Sequence, residues 1–160
     1  MKLGLSGKVV GISGVGSRKG IGFAIAKAFL HEGCRLFICD INEEALQTVS
    51  AELEQYGEVI ALACDVSADT SVQAMFEKAT THYGRLDIWI NNAGIYPQKA
   101  LMDTTAADWD RLMGVNLRSV LLCSQAAARA MQGHPGVILN AASFASLIGS
   151  AGSAGYAASK

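Results

Sequence analysis

The 160-residue chain is 51% hydrophobic and 17% charged, with a formal net charge of −1. That balance, with no strongly basic segment, leaves out a nucleic-acid footprint, and the low charge fraction directs surface toward burial in a core or against another subunit. Apolar runs are strand-sized, well short of the ~18 residues that span a bilayer, and the opening MKLGLSGK is too polar for a secretory leader; a cytoplasmic chain without a membrane partner is expected.

In chain order, residues 8–13 (KVVGIS) read as a buried strand. The stretch Ser13-Gly14-Val15-Gly16-Ser17-Arg18-Lys19-Gly20-Ile21-Gly22 follows and opens a helix over 20–32, where Ile21, Ile25, Ala28 and Phe29 fall at helical spacing. Glycines let a backbone turn tightly and approach a ligand, and a helix start offers unpaired N–H groups and a positive dipole end to phosphate oxygens. A tight structural turn is the plain alternative, because G-x-G-x-x-G fails at Lys19. The context favours a dinucleotide's diphosphate: the turn follows a strand, opens a helix and precedes an acid at the next strand end.

That acid is Asp40, closing a strand over 35–40 (RLFICD). A carboxylate there accepts hydrogen bonds from ribose hydroxyls and repels a 2′-phosphate, so NAD(H) is favoured over NADP(H). Arg18 and Lys19 argue the other way, as partners for a phosphate, and keep NADP(H) open. Further along come a helix over 43–56 stopped by Gly57, a strand over 59–64, a helix over 69–83 stopped by Gly84, and a strand over 86–91. A long helix over 106–131 and a strand over 136–142 follow; 143–155 reads as loop, and 156–160 begins a helix. Strands alternating with helices through short connections predict an α/β fold, a doubly wound parallel sheet of order 3-2-1-4-5.

The four cysteines form no C-x-x-C pair and the three histidines are scattered, so no metal site is expected and the thiols read as buried and free. His31, His82 and His134 lie near helix ends, as surface or dipole residues. Trp89 reads as core, and Trp109 as packing the long helix.

With these residues in view, the chain resembles the short-chain dehydrogenase/reductase family along nearly its whole length. Ser13-Gly14 through Gly20-Ile21-Gly22 is similar to the family's T-G-x-x-x-G-I-G loop, with serine for threonine and five residues rather than three between Gly14 and Gly20. Asp65-Val66 matches the pair beside the adenine, Asn91-Asn92-Ala93-Gly94 the N-N-A-G after the fourth strand, and Asn116 the helix asparagine. Ser143 lies 13 residues before Tyr156, and Tyr156-Ala157-Ala158-Ser159-Lys160 matches Y-x-x-x-K. The resemblance implies one NAD(P)-binding Rossmann domain over 1–160. Its cofactor contacts would be Gly14, Ser17, Arg18, Gly20, Ile21, Gly22, Asp40, Asp65, Val66, Asn92, Ala93, Gly94, Tyr156 and Lys160.

It further implies hydride transfer between a nicotinamide and a carbonyl or secondary alcohol, with Asn116, Ser143, Tyr156 and Lys160 as the catalytic set. Residues four apart share a helix face, which puts the Lys160 ammonium where it stabilises a phenolate at Tyr156. Tyr156 would be the general acid/base, Lys160 would tune it and hold the nicotinamide ribose, and Ser143 would orient the substrate oxygen. The substrate expected by analogy is a polyol, sugar or small alcohol; a 3-oxoacyl-thioester reductase and a non-catalytic nucleotide-binding fragment remain alternatives. Val115, Leu117, Val120, Leu121 and Leu122 suit either the core or the interface of a homo-oligomer, a dimer or tetramer. Because the family continues past its motif lysine, the resemblance also implies a chain truncated at Lys160, lacking the C-terminal strands and the segment that covers the substrate.

Overall fold

The computed structural model describes residues 3–160. Five parallel strands, β1 Val9–Ser13, β2 Arg35–Asp40, β3 Val59–Ala63, β4 Ile88–Asn91 and β5 Val137–Asn140, form one sheet in the order β3-β2-β1-β4-β5, the expected topology. In register, Val10 lies beside Leu36 on one side and Ile88 on the other, and Asn91 lies beside Asn140. The helices are α1 Ile21–His31, α2 Glu43–Leu53, α3 Asp69–Tyr83, α4 Ala106–Met113, α5 Ser119–Ala130 and α6 Ala154–Ser159.

Side chains alternate across a strand, so β1 feeds two cores. Val10 and Ile12 join Leu36, Ile38, Ile88 and Ile90 beneath α1 and α2, with Ala26, Leu30, Leu46, Val49 and Leu53. On the other face, Val9, Phe37, Cys39 and Trp89 pack with Val72, Met75, Phe76 and Ala79 of α3 and Cys123, Ala126 and Ala127 of α5. The Trp89 ring stands 4.8 Å from that of Phe76 and 5.6 Å from that of Phe37. Parallel strands covered on both faces are continuously apolar, and the all-buried β1 shows it. All four cysteines are buried and free.

Where the structure departs from the sequence-based expectation, local geometry gives the reason. The expected helix over 43–56 ends at Leu53, and a 3-10 turn, Glu54–Tyr56, tightens its exit. The expected helix over 106–131 is two α-helices joined by a π-helical turn, Gly114–Arg118, which carries Asn116 inward. Hydrophobic spacing does not reveal one extra residue in a turn. Trp109 is 43% exposed rather than packed away. At the sheet edge, β5 leaves Val137 and Leu139 half exposed.

From β1 the chain winds one way to β2 and β3, then crosses to β4 and β5. The carboxyl ends of β1 and β4 therefore flank a crevice at the switch point, where open α/β sheets bind ligands. No helix among the described residues is long and apolar enough to cross a membrane.

Candidate active site

The turn after β1 is built by backbone bonds to β2. The Gly14 and Val15 N–H groups both donate to the Cys39 carbonyl (2.8 and 3.1 Å), and the Gly16 N–H donates to Asp40 Oδ2 at 2.8 Å. Gly14 has φ 73°, a left-handed conformation that suits glycine. A Cβ at Gly22 would lie 2.6 Å from the Gly14 carbonyl oxygen, so the turn and the first turn of α1 touch. The two residues beyond the family's usual spacing are taken up in an outward turn, closed by the Gly20 N–H on the Ser17 carbonyl (2.9 Å). No side chain caps α1, whose start at Gly20 leaves its first amides for a ligand.

Beside this turn opens a cleft of about 500 Å³, lined by Gly14, Ile21, Asp40, Asp65, Val66, Asn92, Ala93 and Gly94 among others. Most of the expected cofactor contacts are thus brought together on one surface. Asp40 is held in place by the Gly16 N–H and, through Oδ1, by the Asn42 N–H at 3.0 Å. Asp65 Oδ1 accepts from both the N–H and the hydroxyl of Ser67. Asn92 donates from Nδ2 to the carbonyls of Ser13 and Gly14 (2.8 and 3.1 Å), tying β4 to the glycine turn.

Gly20, Gly22, Tyr156 and Lys160 do not line that cleft, and two further expected contacts lie on a separate surface. Ser17 and Arg18 line a shallower depression of about 420 Å³, with Lys19, Asn42 and Thr48, on the far side of Asp40. Arg18 does not wait for a phosphate: its Nε pairs with Glu52 of α2 at 2.6 Å, because the outward turn carries it over that helix.

Other lining residues escaped the sequence reading. Ile41, Ser67, Ile95, Arg111 and Val115 also face the cleft. For Ile41 the available signal was an apolar residue directly after the strand-end acid; Arg111 and Val115, one turn apart, show as lining only once α4 is seen to lie over the 65–67 loop. Ser13 organises the strand ends: its hydroxyl accepts from the Asn92 and Ala93 N–H groups (3.1 and 3.0 Å) and reaches the Ile90 carbonyl at 3.4 Å.

The polar set lies at the Gly94 end. A Cβ on Gly94 would come within 3.5 Å of Lys160 Nζ and 3.4 Å of Asn116 Oδ1. Asn116, 1% exposed, accepts from the Ile95 N–H (2.8 Å) and donates to the Ile95 carbonyl and to Ser159 Oγ (3.0 Å each). Its amide is thus a clamp between the π turn, the loop after β4 and α6. Lys160 Nζ donates to the Ala141 carbonyl at 3.0 Å, and burial lowers its pKa from the ordinary lysine value. Ser143 Oγ accepts from the Ala145 N–H at 3.2 Å, capping the 3-10 turn Phe144–Ser146; accepting leaves its own proton to donate. Tyr156 sits on α6, which packs against that turn and against α4, with its ring edge-on to Tyr96.

Among the described residues no group of three or more His, Cys, Asp or Glu is arranged to hold a metal ion. A glycine cradle with no room for a Cβ, uncapped amides at its end, a fixed carboxylate beside it and an adjoining cleft of about 500 Å³ fit a dinucleotide. At the far end, a lysine and a tyrosine one helical turn apart, with a hydroxyl on the neighbouring turn, form an assembly suited to moving a proton.

A family model described as short chain dehydrogenase matches residues 8–160. The 3beta-hydroxysteroid dehydrogenase 2 of Eggerthella lenta is 39% identical over 162 residues, covering 98% of this chain and 61% of that protein. The meso-2,3-butanediol dehydrogenase of Serratia marcescens is 36% identical, covering 96% of this chain and 60% of that one. A short chain dehydrogenase/reductase from Burkholderia phymatum, solved in complex with NAD, superposes with a TM-score of 0.92 at 34% identity, covering 97% of this chain and 56% of that one. The chain spans about 60% of the length of the curated relatives it matches.

Proposed function

The chain belongs to the short-chain dehydrogenase family, and from that premise we propose that it carries the nicotinamide-dinucleotide site and the proton-handling residues of an oxidoreductase interconverting a secondary alcohol and a ketone. The observation that carries the proposal is adjacency: the cleft that starts at the glycine turn is lined as far as Gly94, where a Cβ would lie 3.5 Å from the Lys160 ammonium.

In this reading the α1 amides and the Gly14–Gly22 contact hold the diphosphate. Asp40 accepts from the adenosine ribose, Asp65 and Val66 border the adenine, and Asn92, Ala93 and Gly94 floor the path to the reacting end. When bound, the nicotinamide supplies or accepts a hydride. Tyr156 gives a proton to the substrate oxygen during reduction and takes it back during oxidation. The Lys160 ammonium favours the phenolate electrostatically and is steadied by the Ala141 carbonyl. The free Ser143 proton points the substrate oxygen at Tyr156, and Asn116 holds the floor and α6 in register.

NAD(H) is the preferred dinucleotide. Two backbone N–H groups fix the Asp40 carboxylate, and a 2′-phosphate beside it would meet a repulsion of several kcal/mol at about 4 Å before solvent screening. Arg18, the guanidinium expected to partner a phosphate, is engaged by Glu52. The substrate is a small secondary alcohol or polyol, a class supported by the butanediol dehydrogenase relative.

Titrating the whole protein with NADH and NADPH tests the site; NADH is expected to bind at least about tenfold more tightly, with Asp40→Ala narrowing the gap. A Tyr156→Phe variant is expected to keep NADH binding and lose about a hundredfold or more in turnover. Uptake of neither coenzyme would refute the proposal. Turnover of a 3-oxoacyl thioester in preference to small ketones would replace the substrate class.

A further inference from the structure

We infer that Tyr96 is a positioning residue for Tyr156, holding its phenol at the angle from which it meets the substrate oxygen. This deepens the proposed function and rests on Tyr156 being its acid/base. The two rings meet with centroids 4.5 Å apart and planes at 71°. Edge-to-face is one of the geometries that aromatic quadrupoles favour, and this separation is at the close end of the preferred range.

Tyr156 needs such a partner. A tyrosine side chain turns about two bonds, so the hydroxyl sweeps a wide arc unless the ring is packed. Lys160, four residues on, makes its hydrogen bond to Ala141, which secures the end of the helix and leaves the phenol ring to other contacts.

Tyr96 is itself anchored on either side. Immediately before it, Ile95 is held at both its N–H and its carbonyl by Asn116. Three residues after it, the Lys99 N–H donates to the Gly152 carbonyl at 2.9 Å, and the Lys99 ammonium pairs with Asp108 of α4 at 2.5 Å. The loop after β4 is therefore tied to the π turn, to the segment leading into α6 and to α4, and it presents Tyr96 from a braced position. Tyr96 remains 49% exposed, so it contributes little to the core, and its removal leaves the fold standing.

The test uses the whole protein with ring-labelled tyrosine, Tyr156 being assigned by the signal lost in Tyr156→Phe. In Tyr96→Leu the Tyr156 ring resonance is expected to shift, because it loses a neighbouring ring current. Tyr96→Phe is expected to restore it. With NADH and 2,3-butanedione, Tyr96→Leu is expected to lower kcat about tenfold at unchanged NADH affinity, and Tyr96→Phe to recover it. Tyr156 resonances that are the same in Tyr96→Leu as in the parent would overturn the inference, as would a kcat equal to the parent's. If the parent binds no nicotinamide coenzyme, the proposed function falls, while the resonance shift still reports on the ring contact.

Discussion

Gly22 and Gly14 show how closely single residues govern this site. A methyl group at Gly22 would sit 2.6 Å from the Gly14 carbonyl oxygen and 2.7 Å from Asn92 Nδ2, inside the contact that joins α1 to both strand ends. Gly22→Ala is expected to cost about 1–3 kcal/mol, the usual cost of overpacking, and to abolish coenzyme uptake; urea unfolding and NADH fluorescence check the two halves separately. Asn92 was expected beside the cofactor, and its amide is used on the carbonyls of Ser13 and Gly14. Asn91, one residue earlier, accepts from Trp89 Nε1 and donates to Ser124 and Asn140. The adjacent asparagines therefore do different work: one braces the crevice, the other joins β4 to β5 and α5.

Among the elements, the π turn between α4 and α5 is the joint that ties the Gly94 end of the cleft to α6. Asn116 reaches Ile95 and Ser159 only because the helix widens there. Asn116→Ala leaves the partly buried Ile95 N–H and carbonyl and the buried Ser159 hydroxyl without this partner, and a stability loss of roughly 1–3 kcal/mol is expected. The urea midpoint should fall while the slope stays constant. The same stretch and the following helix expose Leu117 and Leu121, the residues expected to suit a subunit interface. If the whole protein assembles through them, Leu121→Glu is expected to shift its sedimentation toward a smaller species, with NADH binding by the separated subunit unchanged.

Across the molecule, acid stability is tied to the end of the sheet opposite the cleft. Asp87, just before β4, is almost fully buried and accepts from Arg85, Lys8 and the Val9 N–H. Burial pushes its carboxyl up, but these donors outweigh burial and hold it down at about 2. A carboxylate depressed when folded contributes stability that is complete above the ordinary aspartate value near 4 and is lost as pH falls through about 2. The amount is about 2 kcal/mol by linkage. Stability measured from pH 5 downward should decline over that window in the parent, and far less steeply in Asp87→Asn, whose stability at neutral pH is expected to be lower by roughly 3 kcal/mol.

Much of the protein was already readable as a string. Alternating apolar runs and helical stripes determined the five strands and the order in which helices alternate with them, because burial on both sides of a parallel sheet demands that pattern wherever the strands finally lie; they did not show the break in the stretch 106–131. The glycine turn and Asp40 could be read as candidate site residues because each sits at a strand end, and N-N-A-G and Y-x-x-x-K because they resemble a family's motifs. Tertiary structure alone decided what those residues touch. Arg18 was drawn to Glu52, Asn116 became a clamp through a widened turn, and Arg111, Val115 and Tyr96 joined the candidate site from positions that no local pattern marks. Periodicity records which way a residue faces within its own element; the partner across the cleft depends on how distant elements cross, and that information exists only once the sheet has twisted and the helices have packed on it.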